Sequence, residues 1–228
     1  MYKHFLKRLI DFIIALLGII ISSPIWIITI LGILINDFGP IFYCSTRIGK
    51  NNKEFKMFKF RSMKVVNNDD ESSLRPDEDR IFAWGRVIRK LKIDEIPQLI
   101  NILIGDMAIV GPRPVAKNQM DIFRVEKWDI AKTVRPGLTG PAALYDYIYG
   151  DQFENSDIEM YKTKVLPIRR ELELVYVNKY NFIFDLMMFF STAWCVICSL
   201  FKKTPQKLLN YLIKLSQTEM EVKKSKSA

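Results

Sequence analysis

A stretch of uncharged residues near the start of the chain, residues 12–35, constrains the fold more than any other feature. It exceeds the roughly 20 apolar residues that cross a ~30 Å hydrocarbon layer as a helix. Ser23 and Pro24 stand in its middle. A proline inside a helix removes a backbone hydrogen bond and clashes with the preceding turn, at a cost of about 3 kcal/mol. The pattern therefore predicts a membrane helix that breaks at Ser23-Pro24.

Basic residues flank this apolar stretch on both sides. Lys3, Lys7 and Arg8 precede it, and further lysines and arginines follow between residues 47 and 64. Because cytoplasmic flanks of membrane segments are rich in Lys and Arg, both ends are expected on the cytoplasmic side. A re-entrant helix, which enters the membrane, breaks and returns, satisfies both flanks. A single kinked anchor is the alternative that these features leave open. A cleaved signal peptide is disfavoured, because the stretch exceeds the usual ~7 to 15 residue apolar core.

The charge balance and the scarcity of histidine exclude several classes of function. Lys+Arg number 34 against 25 Asp+Glu, a formal net charge of +9, which suits anionic lipid headgroups or nucleotides. No helix-turn-helix, zinc-finger spacing or aromatic recognition signature accompanies that charge, so nucleic acid is not expected as a partner. His4 is the only histidine and sits at the expected membrane boundary, so neither a Ser/His/Asp triad nor a His-based zinc site is expected. A metal would be held by oxygen ligands, as Mg²⁺ or Mn²⁺ is.

One short segment, residues 86–114, combines cations with an adjacent pair of carboxylates, Asp94 and Glu95. The cations that precede this pair are Arg86, Arg89, Lys90 and Lys92. Such a set can neutralise a diphosphate, while Asp94 offers a ligand for a hard cation or a nucleophilic oxygen. The apolar residues that follow recur at helical spacing, so Asp94 also has a purely structural interpretation as a helix N-cap. The two interpretations are compatible, because helix N-termini also attract phosphate.

Two other parts of the chain can add cations to such a site. Residues 55–63 are typical of a strand on which Lys59 and Arg61 share one face, a suitable floor for bound phosphate. Ordinary solvated strand charges are the alternative. Arg113 and Arg135 each stand in a stiff turn, within the motifs GPRP and RPGLTG. Rigid Pro/Gly backbone can hold a guanidinium for bidentate phosphate binding, although either turn could be only a loop connection.

A second apolar segment, residues 180–201, has Asp185 as its only charge. Because basic residues flank it on both sides, a helix buried in the domain or lying at the membrane interface is favoured over a second span. Cys195 and Cys198 are interpreted as small apolar side chains of that helix. Farther on, leucines among lysines predict another surface-lying helix, followed by a disordered tail over residues 217–228.

Taken together, these residues resemble the bacterial sugar transferases, also called monotopic phosphoglycosyl transferases. The resemblance extends from about residue 1 to 200. The elements that carry it occur in order: the Ser23-Pro24 break, KFRSM at 59–63, Arg86 and Arg89, DEIPQLIN at 94–101, GDM at 105–107, GPRP at 111–114 and RPGLTG at 135–140. A single turn motif would be weak evidence, but the ordered set is specific.

The resemblance implies an α+β, mainly helical fold with a small β element, in a monotopic membrane protein. Residues 1–40 would form the re-entrant helix-break-helix hairpin, 41–201 a compact catalytic domain, and 202–228 a basic amphipathic and disordered tail. The expected location is the bacterial cytoplasmic (inner) membrane, with the catalytic domain facing the cytoplasm. The sequence leaves open whether residues 180–201 span the bilayer or lie at its interface, and whether the protein is a homo-oligomer.

The resemblance also implies the chemistry. The family transfers a sugar-1-phosphate from a nucleotide diphosphate sugar, usually a UDP-sugar, to polyprenyl (undecaprenyl) phosphate and releases UMP, the first membrane step of glycoconjugate synthesis. By analogy Asp94 attacks the sugar-linked phosphate to give a covalent aspartyl intermediate. Glu95 assists proton handling or orientation, and Mg²⁺ bridges Asp94 and the diphosphate. The residues expected to contact substrates are Lys59, Arg61, Arg86, Arg89, Arg113, Arg135, Glu173 and Asp185.

The chain departs from the family's pattern at several positions. Residues 141–147 read PAALYDY where the family often has an AQVNG-like run, and selectivity for the sugar is expected to lie there. Glu173 stands where an aspartate is common, so only a supporting role is assigned to it, and Asn181 replaces a frequent serine. The alternative function is a non-catalytic membrane-surface protein that binds anionic lipids through its basic flanks.

Overall fold

The computed structural model describes residues 2–65, 80–150, 161–201 and 203–227. Helices make up most of this part of the chain, and the strands form two small two-stranded sheets. The mainly helical class with a small β element is therefore confirmed.

The first long element is the helix α1 (Lys7–Asn36), which continues a π-helical turn at Tyr2–Leu6. It is one helix with Pro24 in its interior, so the break expected at Ser23-Pro24 does not appear as an interruption. A bend at the proline and the re-entrant membrane arrangement stay predictions. By length and composition, α1 and one later helix are the two described helices that could cross a membrane.

An antiparallel hairpin follows α1. Strand β1 (Phe42–Ile48) pairs with β2 (Glu54–Phe60), with Phe42 opposite Phe60 and Ile48 opposite Glu54. The predicted strand is therefore confirmed, although it ends at Phe60 rather than at residue 63. In a strand, side chains alternate between the two faces, so Phe55 and Met57 point together into the core.

Short elements connect this hairpin to the second sheet. They are the helix α2 (Ala83–Lys90), a 3₁₀ turn (Ile93–Glu95) and the helix α3 (Gln98–Ile104). Strand β3 (Ala108–Val110) then pairs in parallel with β4 (Gly137–Thr139). Between those strands lie the one-turn helix α4 (Met120–Phe123) and a 3₁₀ stretch (Glu126–Thr133).

Four helices complete the described chain: α5 (Pro141–Gly150), α6 (Leu166–Lys179), α7 (Phe182–Leu200) and α8 (Gln206–Ser227). The main core lies where α5, α6 and α8 pack against the sheets and α1; among its fully buried side chains are Ala15, Met107, Leu144, Tyr145, Leu172 and Leu212. A smaller second core is formed by Ile33, Phe60, Phe82 and Ile88.

Helix α1 contacts the rest of the protein on both sides of Pro24. Before the proline, the Asp11 carboxylate accepts a hydrogen bond of 3.1 Å from the amide of Ile109, and Ala15 lies in the main core. After the proline, Trp26 packs edge-on against Phe60 with ring centroids 5.1 Å apart. The outward face of α1 carries exposed isoleucines and leucines along its whole length.

The two C-terminal helices differ from the sequence-based expectations. Helix α7 buries Asp185, Met188, Cys195 and Cys198 but exposes large apolar side chains elsewhere, so burial in the domain is wrong and a position at the membrane interface stays a prediction. The interpretation of both cysteines as apolar side chains is confirmed. Helix α8 continues to Ser227, so the disordered tail from residue 217 is also wrong. Residues 217–227 are mostly good helix formers, which outweighs their polarity.

Candidate active site

The adjacent carboxylates Asp94 and Glu95 lie in the tight turn between α2 and α3. Lys92, which precedes this turn, has a left-handed backbone with φ of 56°. Asp94 is 8% exposed, whereas Glu95 is half-buried. Helix α3 begins only at Gln98, and no side chain caps it or the turn. The interpretation of Asp94 as an N-cap is therefore wrong, and its carboxylate is left for another role.

Asn101 fixes the position of α3 against β2. Its side chain is fully buried; Oδ1 accepts a hydrogen bond of 3.0 Å from the Phe58 amide, and Nδ2 donates one of 2.7 Å to the Lys56 carbonyl. An amide side chain satisfies one backbone donor and one acceptor of the strand in this way. The end of β2 is thereby held beside the turn that carries the carboxylates.

Lys59 is the strand residue that reaches the carboxylate pair. Its ammonium donates to Glu95 Oε1 at 2.7 Å and lies 3.6 Å from Asp94 Oδ2. The sequence-based expectation that Lys59 belongs to the floor of this site therefore agrees with its position. The ammonium offsets part of the negative charge that two adjacent carboxylates place on one turn.

The two carboxylates have different acidities. Burial raises the pKa of Asp94 above its usual value, and Lys59 only partly opposes that rise. Burial acts in the same direction on Glu95, but the charges of Lys59 and Lys92 outweigh it and lower its pKa to about 2. Neighbouring groups whose pKa values are pushed apart in this way are typical of catalytic pairs.

Other cations surround the pair at longer range. Arg89 and Lys92 act on the charge of Asp94, and Arg113 acts on that of Glu95. Arg89 also extends towards Ser62, with 3.5 Å between Nη1 and Oγ. Arg86 lies on the exposed side of α2. Of the expected cations, Lys59 and Arg89 thus act on Asp94 and Arg113 acts on Glu95, while their roles in binding substrate stay predictions.

Four of the expected substrate-binding residues have other contacts. Arg61 is buried and binds the carboxylate and carbonyl of Asp37 and the carbonyl of Pro40. Arg135 donates to the carbonyl of Gly105 at 2.7 Å. These two guanidinium groups hold turns of the backbone.

The two expected acidic residues are also occupied elsewhere. Glu173 forms a buried ion pair with Arg124. Asp185 accepts hydrogen bonds from Tyr2 and Tyr176 and pairs with Lys7 at 2.8 Å, which ties α7 to the start of α1. The roles of these four residues in substrate binding stay predictions, and none has a described contact with Asp94.

A magnesium ion fits this site if Asp94 and the phosphates of a bound substrate hold it together. Asp94 Oδ1 is buried and has no hydrogen-bond partner among the described residues. The described ranges contain no group of three or more His, Cys, Asp or Glu side chains that could hold a metal by themselves. Mg²⁺ is commonly held by one or two carboxylates together with substrate phosphates and water. Asp94 Oδ1 and a bound diphosphate would form such a set.

Helix α5 supplies two neighbours of the site that the sequence did not single out as ligands. Asp146 Oδ2 lies 3.9 Å from Arg113 Nε and 3.0 Å from Arg169 Nη1. The Tyr147 ring lies under the ammonium of Lys92, 4.6 Å from the ring centroid. Both residues belong to the segment 141–147, where the chain departs from the family's pattern, and that departure was the only sequence signal for them.

Comparison with known proteins identifies a family and several relatives of similar sequence. The family model described as bacterial sugar transferase matches residues 2–199. The chain is 34% identical over 195 residues to the UDP-glucose:undecaprenyl-phosphate glucose-1-phosphate transferase of Escherichia coli, which covers 84% of this chain and 40% of that protein. The chain thus spans less than half of the length of this relative.

Shorter relatives match over most of their length. The chain is 34% identical over 194 residues to the uncharacterized sugar transferase EpsL of Bacillus subtilis, covering 85% of this chain and 88% of EpsL. It is 32% identical over 211 residues to the exopolysaccharide production protein ExoY of Sinorhizobium fredii, covering 85% and 86%. With a family model that extends over nearly all of the first 200 residues, the chain belongs to the bacterial sugar transferase family.

Proposed function

We propose that this protein transfers a sugar-1-phosphate from a UDP-sugar to undecaprenyl phosphate and releases UMP. The observation that carries the proposal is Asp94: a buried carboxylate with one unpartnered oxygen, set among cations in the turn before α3. The names of relatives support the same reaction class, because they include transferases for glucose and N-acetylgalactosamine phosphates that act with undecaprenyl phosphate.

In the first step, the Asp94 carboxylate attacks the sugar-linked phosphorus of the donor. The new bond joins Asp94 to that phosphorus, and the bond from phosphorus to the oxygen bridging to UMP breaks, so UMP leaves with that oxygen. Burial favours this step in one respect, because a carboxylate with a raised pKa is more nucleophilic once it is ionised. The product is an aspartyl phosphosugar intermediate.

In the second step, an oxygen of undecaprenyl phosphate attacks the same phosphorus. The bond to Asp94 breaks, and the carboxylate is regenerated together with a lipid diphosphate sugar. Division into two steps lets the water-soluble nucleotide leave before the lipid acceptor enters.

Neutralisation of charge is the main task of the surrounding residues. An anionic carboxylate that approaches an anionic diphosphate is repelled unless cations lie between them or beside them. Lys59, Arg89 and Arg113 are placed to do this. Glu95 stays ionised at neutral pH and holds Lys59 in position. A bound Mg²⁺, held by Asp94 and the donor's phosphates, would add electrostatic stabilisation of the leaving phosphate.

The same proposal includes a membrane arrangement. The two halves of α1 contact the protein on either side of Pro24, while Ser23 and Pro24 themselves are exposed. The outward faces of α1 and α7 both carry exposed large apolar side chains. These features support a re-entrant α1 with its bend in one leaflet and α7 lying at the interface, with the domain on the cytoplasmic face of the inner membrane.

The enzymatic test is release of UMP by the purified protein in lipid particles. A panel of UDP-sugars is offered with Mg²⁺ and undecaprenyl phosphate, and Asp94→Asn is assayed in parallel. Release of more than one equivalent of UMP per protein should require the acceptor, and all release should be lost in the variant; the active donor identifies the sugar. Donor labelled in its sugar should also label the wild-type protein when acceptor is omitted. Release that is undiminished in Asp94→Asn would refute the role of Asp94.

The topological test uses a cysteine introduced near the N-terminus. Cys44 is the exposed native cysteine among the described residues, so Lys3→Cys is combined with Cys44→Ser. The new thiol should resist a membrane-impermeant maleimide added to intact cells and react once the cells are permeabilised. Labelling in intact cells would place residue 3 outside and favour a single span.

A further inference from the structure

Lys92 occupies an unusual backbone conformation for a residue of its kind. Its φ of 56° lies in the left-handed region, which long side chains adopt rarely and at a cost of order 1 kcal/mol or more. Such conformations concentrate at functional sites, because the surrounding structure must enforce them. Here the conformation turns the chain from α2 into the turn that carries Asp94 and Glu95.

The side chain of Lys92 ends on the face of an aromatic ring. Its Nζ lies 4.6 Å from the centroid of Tyr147, within the range of a cation–π contact. The Tyr147 hydroxyl donates a hydrogen bond of 2.6 Å to Ser199 Oγ, and Ser199 donates in turn to the Val196 carbonyl at 2.8 Å. The ring is therefore fixed between α5 and α7, and it offers Lys92 a defined position.

The charge of Lys92 is not consumed by an ion pair within the described residues. Glu95 already has Lys59 at 2.7 Å, and Lys92 acts on both carboxylates only at longer range. Lys92 is exposed. An ammonium that is held by a ring face, is open to solvent and lies beside the attacking carboxylate is suited to bind an anion that arrives there.

We propose that Lys92 binds the diphosphate of the nucleotide-sugar donor and that Tyr147 is the positioning residue that holds its ammonium at the site. This inference rests on the function proposed above and deepens it. It also gives the divergent segment 141–147 a role. Tyr147 holds Lys92, and the preceding residue, Asp146, contacts Arg113. Helix α5 thus touches a cation on the turn of Asp94 and another in the GPRP turn.

The test compares two substitutions at each position. Lys92→Met keeps the length of the side chain without its charge, and Lys92→Arg restores a cation. Tyr147→Leu removes the ring, whereas Tyr147→Phe keeps the ring and loses only the hydroxyl. Two measurements are made on the full-length protein in lipid particles: equilibrium binding of UDP, and the separate KM values for donor and acceptor with kcat.

The expected pattern is a specific loss of affinity for the donor. Lys92→Met should weaken UDP binding and raise the donor KM by about 10- to 100-fold, since a charge-assisted contact is lost. Lys92→Arg should recover most of it. Tyr147→Leu should raise the donor KM by about 2- to 5-fold, and Tyr147→Phe by less. The acceptor KM should not change, and Tyr147→Leu should add little once Lys92 is already Met.

Several outcomes would overturn the inference. Unchanged UDP binding in Lys92→Met would do so. Equal increases in the donor KM and the acceptor KM would also do so, because they indicate a general structural effect. Additive effects of Tyr147→Leu and Lys92→Met would remove the positioning role of Tyr147. Wild-type protein that binds UDP through Lys92 but transfers no sugar would leave the diphosphate site standing and refute the proposed reaction. Absence of UDP binding to the wild type would refute both.

Discussion

Lys59 and Glu95 form an ion pair of 2.7 Å that joins the end of β2 to the turn before α3. The pair keeps one carboxylate of the site firmly ionised, while burial makes ionisation of the adjacent Asp94 less favourable. Two neighbouring acids with nearly identical chemistry thereby acquire different properties from their surroundings. Glu95 is suited to hold a cation, and Asp94 to react.

The first prediction concerns the pH dependence of stability. Burial opposes ionisation of Glu95, but the ion pair with Lys59 and the charge of Lys92 depress its folded-state pKa to about 2. The pair therefore stabilises the folded state fully at pH values above about 4.5, and this stabilisation is lost as pH falls from about 4.5 to about 2. Lys59→Met should therefore lower stability at pH 7 by about 1 to 2 kcal/mol, since solvent screens part of the pair. Thermal denaturation of both proteins between pH 7 and pH 3 measures the difference.

A matched variant separates this ion pair from loss of packing by the lysine. Glu95→Gln removes the charge of the carboxylate and keeps its shape, so it should flatten the same part of the pH profile. If Lys59→Met retains the wild-type dependence on pH, the ion pair contributes nothing measurable.

The second prediction is that loss of activity at Asp94 comes with a gain in stability. Its folded-state pKa is raised by burial, so stability falls as pH rises from the usual aspartate range through the raised pKa and stays reduced above it. Asp94→Asn should lower UMP release by at least about 10³-fold and raise the melting temperature at neutral pH. The exposed Asp121→Asn serves as the control and should change neither quantity. A variant at Asp94 that melts below the wild type would contradict the argument.

The third prediction assigns a structural role to Asn101. Its replacement by alanine leaves the Phe58 amide and the Lys56 carbonyl without their partners. Each such loss costs about 1 to 3 kcal/mol, so Asn101→Ala should destabilise the protein by about 2 to 5 kcal/mol. The exposed Asn210→Ala should cost less than about 0.5 kcal/mol. The melting temperatures of the two variants test this prediction, and equal values would exclude the role of Asn101 in anchoring α3 to β2.

The fourth prediction concerns the contact between α2 and the chain after β2. A methyl group added at Gly85 would overlap the backbone carbonyl of Ser62. Gly85→Ala should therefore force α2 outward, cost about 1 to 3 kcal/mol of stability and raise the donor KM, because Arg89 moves with the helix. At Gly18 the nearest atom is the end of a flexible leucine side chain, at 3.1 Å. Gly18→Ala is thus the milder control, and comparable losses from both would argue against a specific contact.

The sequence predicted the features that depend on local pattern. The long apolar stretch became α1, the strand with alternating apolar residues became β2, and helical spacing placed Asp94 just before α3. Lys59, expected on the floor of a phosphate site, lies beside the carboxylates, and its role in binding phosphate stays a prediction. Local periodicity suffices in these cases, because burial of one face decides both the element and its orientation.

The partners of the remaining charges could not be read from the sequence. Arg61 was grouped with Lys59 as two residues of one strand face, but the strand ends before it and its guanidinium binds the turn after α1. Glu173 and Asp185 meet Arg124 and Lys7, which are distant in the chain. Ion pairs between distant segments depend on how helices pack, and a single sequence carries no pattern for that.

The packing of α1 has a consequence for how the molecule can be divided. Ala15 completes the main core and Ile33 the smaller one, and both have no exposed surface. Deletion of the first 40 residues would therefore expose the apolar side chains of both cores to solvent, rather than release a water-soluble enzyme. The segment proposed to contact lipid and the segment proposed to bind the nucleotide therefore form one cooperative unit, and a chain without residues 1–40 would need other contacts for both cores before it could fold.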